Sequence, residues 1–263
     1  MTSRSPQDVH PAGDTPPAGV RTEVDGPIAT VTLDRPAVLN AQTSATWNRL
    51  RDFASALTAD VRVVVLRGEG RAFSAGLDLA HAQADLGKLA AAPPHEAADR
   101  IAEFQEAFSW LRRPDIVSIA AVQGHAVGAG FQLALACDLR VVAEDARFAM
   151  KEITLGLVPD LTGTKRLVDL VGYARALELC ATGRTVDARE AERIGLATLC
   201  VPVAELDQAT RDLAAALLAA DRDALIETKA LLAGASARTY AEQAVAEREA
   251  QIRRIRALAG LGE

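Results

Sequence analysis

Cysteine is scarce in this chain of 263 residues: Cys137, Cys180 and Cys200 are three in number and cannot form a disulfide framework. They stand in apolar surroundings without the spacing of metal ligands, so the sequence implies buried thiols, no metal site and a reducing, cytoplasmic setting. No apolar run is long enough to span a bilayer, and the N-terminus lacks the basic-then-apolar order of a signal peptide, so no membrane partner is expected. Basic charge is also short. With 29 Lys and Arg against 35 Asp and Glu, the net charge of -6 argues against a nucleic-acid partner. Histidine numbers only 4, and none follows His125. That matters for Ser74, because Ala72-Phe73-Ser74-Ala75-Gly76 resembles a weak hydrolase nucleophile elbow, and that fold places its His after the acid and the Ser. The hydrolase reading is set aside on this ground. His81, His95 and His125 fall in or near loops and read as surface or turn residues.

What is present suffices for one domain with an accessory segment. Pro6, Pro11, Pro16 and Pro17 lie among polar residues, so residues 1–20 are expected to be a disordered tail, with order beginning near Thr22. Val24 and the run from Ile28 to Leu33 predict a hairpin around Asp25-Gly26. Residues 43–57 carry Trp47, Leu50, Phe53, Ala54 and Leu57 at helical spacing, and Ile101, Phe104, Phe108 and Leu111 mark a second amphipathic helix. The stretch from Ala80 to Pro94 reads as the least regular part of the inner chain. Residues 162–170, 173–182 and 187–193 read as helices, the last capped by Asp187 with Glu190 three residues on. The remainder to Gly260 is almost wholly helical in pattern.

The stretch AVQGHAVGAGFQLALACD, residues 121–138, organises the rest. An apolar, β-branched run precedes it, Gly124, Gly128 and Gly130 punctuate a turn, and a helical pattern starts at Phe131. A dinucleotide fingerprint fails, because Leu133 stands where its last glycine belongs, and a phosphate loop fails for want of a following Lys. What remains is a turn whose unpaired backbone N–H groups can meet an oxyanion. A second such turn, RAFSAGLDL at residues 71–79, follows the strand pattern VRVVVL at residues 61–66. Two turns at the ends of buried strands can supply one N–H each to a single carbonyl oxygen.

These turns, together with CDLRVVAEDARFAMKEITLGLVPD and LCATGRTVDAREAERIGLATLCVP, resemble the crotonase superfamily, the enoyl-CoA hydratase and isomerase family, from about Val24 to Pro202. The resemblance implies an α/β fold, a crotonase-like spiral of repeated ββα units over residues 21–202. A helical C-terminal segment over 203–263 would cover the active site and mediate assembly as a homotrimer or dimer of trimers. It implies an acyl-CoA thioester substrate, with no cofactor beyond the coenzyme A that the substrate carries. The amides of Ala75 and Ala129 would hold the thioester oxygen and stabilise an enolate. Ala72, Ser74, Asp78, Leu79 and Gly128 would contact substrate, and the loop of residues 35–41 would border the CoA nucleotide. Lys229 matches a basic position near the CoA phosphates, although a solvated helix-face Lys is the alternative.

Proton traffic at a thioester needs a placed base. Hydratases of the family carry one Glu two residues beyond the glycine turn and another in the segment written here FAMKEITLG, which map to Gln132 and Glu152. Gln132 cannot carry a proton, but it can hold a water or orient a neighbour. Members that move double bonds in dienoyl-CoA carry Glu and Asp at the positions of Glu152 and Asp160. The favoured expectation is therefore double-bond isomerisation, with Glu152 as base and Asp160 as second proton carrier. The alternatives are syn hydration, with water held by Glu152 and Gln132, and an acyl-CoA binder without catalysis. A helix N-cap is the structural alternative for Asp160.

Overall fold

Runs of Val, Ile and small residues set the frame, since β-branched side chains suit a pleated surface covered on both faces. In the computed structural model, which describes residues 17–261, these runs are β1 (Val20–Asp25), β2 (Ile28–Leu33), β3 (Val63–Gly68) and β4 (Val117–Val122). The hairpin expected around Asp25-Gly26 is present as an antiparallel β1–β2 pair, and β2, β3 and β4 run parallel. Further strands are β5 (His125–Val127), β6 (Leu139–Ala143), β7 (Arg147–Ala149), β8 (Val186–Asp187) and β9 (Leu199–Val201). The large sheet has the order β1-β2-β3-β4-β6-β9, and a small one has the order β5-β7-β8. Successive repeats send one strand to each sheet: β4 then β5, and β6 then β7. After β3, the turn reaches the small sheet through a bridge from Ser74 to Ala126.

The helices are α1 (Ser44–Ala56), α2 (Leu79–Ala91), α3 (Pro94–Ser109), α4 (Ala129–Ala136), α5 (Gly163–Val171), α6 (Tyr173–Thr182), α7 (Ala188–Arg193), α8 (Leu206–Ala219), α9 (Arg222–Gly234) and α10 (Tyr240–Leu258). The period of two along β3 divides its side chains. Val64 and Leu66 enter the main core with Trp47, Phe108 and Phe131, while Val63 and Val65 join Leu206 and Ala214 of α8 on the opposite face. The segment after residue 202 thus starts as a cover for the back of the large sheet.

Two expectations are corrected here. Order begins before Thr22: Val20 is buried in β1, the Asp34 N–H donates to the Gly19 carbonyl at 2.8 Å, and the Thr46 hydroxyl donates to that of Ala18. The tail expected over residues 1–16 lies outside the described residues. The stretch from Ala80 to Pro94, expected to be irregular, is mostly helix α2. Asp78 caps it by accepting the His81 N–H, and Ala82, Leu86 and Leu89 recur at helical spacing.

Every residue of α4 is buried. Its C-terminal carbonyls are satisfied by Arg140, 2% exposed, which donates to Cys137 at 2.8 Å, to Ala134 and Asp138, and across to Leu196 at 2.6 Å. Burial pushes this guanidinium down to about 10, still charged at neutral pH. A Met at this position would fill part of the volume, but the carbonyls cannot be removed with their donor, and each orphan costs about 1–3 kcal/mol. Arg140→Met is expected to lower stability by about 3 kcal/mol or more, read as a drop in the urea midpoint at unchanged slope.

Candidate active site

The two glycine turns meet backbone to backbone. Gly76, at φ +91°, has no room for a side chain, because a Cβ there would lie 2.4 Å from the Val127 carbonyl oxygen and 3.5 Å from the Ala129 nitrogen. A Cβ on Gly130 would lie 2.5 Å from the Ser74 carbonyl oxygen. Hydrogen bonds lock the contact: Ser74 N–H donates to the His125 carbonyl at 2.7 Å, and Val127 N–H to that of Ser74 at 3.0 Å.

Of the amides these turns present, Ala75 is not free. Its N–H donates to the Leu39 carbonyl at 2.8 Å, which corrects the assignment of Ala75 to an oxyanion site. The Gly76 N–H is taken by the Ser74 hydroxyl at 3.2 Å. Leu77 is the next residue, and its N–H has no acceptor among the described residues; nor has that of Ala129, in the first turn of α4. Both residues line one cavity. The Gly76 carbonyl accepts the Gln42 N–H at 2.7 Å, and across a trans peptide this turns the Leu77 N–H to the side away from Gln42. Nothing in the local sequence separates Ala75 from Leu77, because the deciding acceptor, Leu39, belongs to a distant loop.

The cavity has a volume of about 590 Å³. Apolar side chains from α1, α2 and α3, among them Trp47, Leu86, Leu89 and Phe104, form one wall, while Glu152, Asp160 and Lys151 stand with Gly128 and the two amide residues. Among the described residues none beyond Leu161 lines it, so within one chain the C-terminal helices do not cover this site as expected.

Glu152 begins a short 3-10 turn, and one of its carboxylate oxygens accepts the Gln132 side-chain N–H at 2.7 Å. The Gln132 oxygen in turn accepts the Leu161 N–H at 2.9 Å and the Gly163 N–H at 3.3 Å, which fixes the amide the right way round. The other Glu152 oxygen is buried without a partner. Burial pushes the Glu152 carboxyl above its usual range, its own backbone and Gln132 pull it partly back, and the Asp160 charge adds to the rise. Burial also raises Asp160, whose side chain opens to solvent in the cavity although protein crowds it. Helix α5 starts at Gly163 with no side-chain cap, so Asp160 is not its N-cap. Asp78 is a different case. Hydrogen bonds from His81, then from Arg35, hold it down at about 2, and its charge serves to fasten α2 to the preceding loop.

Of the remaining candidates, Asp78, Leu79 and Gly128 line the cavity and Ala72, Ser74 and Lys229 do not. Ala72 is buried, and its carbonyl accepts the Asn40 side chain at 2.8 Å. Ser74 is fully buried with its hydroxyl saturated, which removes it as a substrate contact or nucleophile. Lys229 is neither a phosphate ligand nor a solvated Lys. Its ammonium donates at 2.7 Å to the Arg113 carbonyl, the Ile116 carbonyl and an Asp138 carboxylate oxygen. That triad pins α9 to the core, so Lys229→Met is expected to cost about 3 kcal/mol, seen as a lower melting temperature, with CoA affinity unchanged.

A family model described as enoyl-CoA hydratase/isomerase matches residues 23–257. A curated protein of Mycobacterium tuberculosis, named as a probable enoyl-CoA hydratase, is 37% identical over 190 residues, covering 71% of this chain and 70% of its own. The 2,3-dehydroadipyl-CoA hydratase of Escherichia coli is 38% identical over 175 residues, 65% of either chain. Among solved structures, a Thermobifida fusca protein in complex with CoA, provisionally titled an enoyl-CoA hydratase, is 48% identical with a TM-score of 0.86, covering 92% of this chain and 95% of its own.

Proposed function

Since the chain belongs to the enoyl-CoA hydratase/isomerase family, we propose that it acts on its acyl-CoA through this cavity and that its favoured reaction is isomerisation of an enoyl- or dienoyl-CoA. The observation that carries this reading is the engagement of Gln132, whose oxygen is bound to two backbone amides while its nitrogen is given to Glu152. Proton transfer is left to Glu152 and Asp160.

In this reading the thioester oxygen sits between the Leu77 and Ala129 N–H groups. With a 3-enoyl-CoA, Glu152 takes a C2 proton, and the electron pair passes into a dienolate whose oxygen charge those amides stabilise. C4 then takes a proton from Asp160, and the double bond comes to rest between C2 and C3. Solvent exchange returns both carboxyls to their starting states. Coenzyme A is part of the substrate, and polarisation by amides calls for no further cofactor. The exposed apolar residues Leu232 and Leu258 on α9 and α10 fit the expected trimer or dimer of trimers.

Hydration is the second reading, favoured by the names of the relatives and by the one hydrogen still free on the Gln132 nitrogen, which can orient water against Glu152. To test them, a 2-enoyl-, a 3-enoyl- and a 3,5-dienoyl-CoA are each incubated with the protein while ultraviolet absorbance and thioester mass are followed. A double-bond shift without mass gain supports isomerisation; a gain of one water on the 2-enoyl substrate supports hydration; binding without turnover supports a silent binder. Asp160→Asn is expected to slow the isomerisation about tenfold, less than loss of a sequestered acid would, because water can reach its position.

A further inference from the structure

A fully buried glutamine stands behind the Leu77 amide. Gln42, 0% exposed, forms a parallel bridge with Leu77: its N–H donates to the Gly76 carbonyl at 2.7 Å, and its carbonyl accepts the Asp78 N–H at 2.8 Å. These bonds grip the peptide units on both sides of Leu77. The Gln42 side chain is tied as firmly. Its oxygen accepts the Trp47 indole N–H at 2.8 Å, and its nitrogen donates to the Ser74 hydroxyl at 3.0 Å. That hydroxyl also accepts the Gly76 N–H and gives its only hydrogen to the Asn40 carbonyl at 2.8 Å, so its hydrogen-bonding capacity is filled.

The preceding residues Leu39 and Asn40 both occupy left-handed backbone, at φ 52° and 55°. Asn40 holds this strained segment in place by donating to the Glu69 and Ala72 carbonyls. An apolar residue at position 42 would pack more cheaply than a buried amide, which keeps its place only by satisfying every partner. All of those partners are either the turn that carries the Leu77 N–H or Trp47, whose ring lines the cavity and packs on Phe104 with centroids 4.8 Å apart.

We propose that Gln42 is a positioning residue: it sets the direction of the Leu77 N–H and connects that direction, through Trp47, to the wall of the acyl cavity. The proposal rests on the reading of Leu77 and Ala129 as the oxyanion donors. Gln42 does not line the cavity, and its effect on the enolate oxygen is exerted through the Leu77 peptide.

The test compares affinities for acetoacetyl-CoA, whose enolate form places charge on the thioester oxygen, and for CoA, which has no acyl oxygen. Wild-type protein is expected to prefer acetoacetyl-CoA. Gln42→Met keeps the side-chain length and the backbone bridge, and it should lower that preference about tenfold with CoA affinity unchanged, a fraction of the loss caused by deleting an oxyanion donor. Trp47→Phe removes the indole N–H and keeps a ring, and a loss of about threefold is expected. Should Gln42→Met fail to fold, Trp47→Phe decides alone. An unchanged preference in the folded variants overturns the role of Gln42, whereas a wild-type protein without any preference overturns the oxyanion reading and the proposal with it.

Discussion

Glu152→Gln is expected to lower kcat about a thousandfold, on the scale of removing a placed general base, with KM altered little. The expectation follows from where the two carboxylate oxygens lie. One is held by Gln132, and a glutamine can keep that bond through its own oxygen; the other is buried and unpartnered, on a residue that lines the same cavity as Leu77 and Ala129. An unpartnered buried oxygen weakens the fold and is suited to accepting a proton from substrate. The pH dependence has a definite sign. Burial raises the Glu152 carboxyl in the folded state, and the base works only when ionised, so kcat should rise with pH through a value above the ordinary glutamate range. That limb should vanish in the variant. Linkage runs the other way for stability: a raised folded value contributes stability below the unfolded value, and this is lost as pH rises through the folded one. Glu152→Gln should therefore be at least as stable as wild type at neutral pH. A variant that retains more than a tenth of wild-type kcat would remove Glu152 from the base position.

The central strands and the place of the site were legible because they depend on local signals. β-branched runs predict the central strands, and glycine spacing identifies the two turns, since Gly76 and Gly130 stand where only hydrogen fits. What was not legible depends on partners far away in the chain. Ala75 and Leu77 lie in one turn and differ only in what Leu39 and Gln42 do to their peptides. Lys229 reads as a CoA-phosphate contact or a solvated Lys until Asp138, in the bend between α4 and β6, takes its charge. Helix α2 was missed for a different reason. Its apolar residues line the cavity and only Ala82 among them is buried, whereas α1 packs Trp47, Leu50 and Phe53 into the core. Gln42 and Asn40 carried a signal that was available, polar side chains inside an otherwise tight loop, but only their zero or near-zero exposure gives it meaning.

Gln132→Glu is expected to raise hydration of a 2-enoyl-CoA by roughly 10–100-fold, the scale of a second general acid-base group, while isomerisation slows. The existing contacts dictate the geometry. One oxygen of the new carboxylate replaces the amide oxygen and accepts the Leu161 and Gly163 N–H groups. The other falls where the amide nitrogen now lies, 2.7 Å from a Glu152 oxygen. Two anionic oxygens cannot share that distance, so the pair must hold one proton between them, with one apparent value driven upward. A shared proton next to the cavity can hold and deliver water across a double bond, and it also occupies the base that isomerisation needs free. The raised member gives a second, independent readout. Its stabilising contribution is present at low pH and lost as pH rises through the upper value, so the melting temperature of the variant should fall relative to wild type between mildly acidic and neutral pH. If that pH-dependent fall is seen but no water is added to the substrate, the pair forms as described and hydration is not accessible to this cavity, which leaves double-bond movement as the chemistry its amides and carboxylates serve.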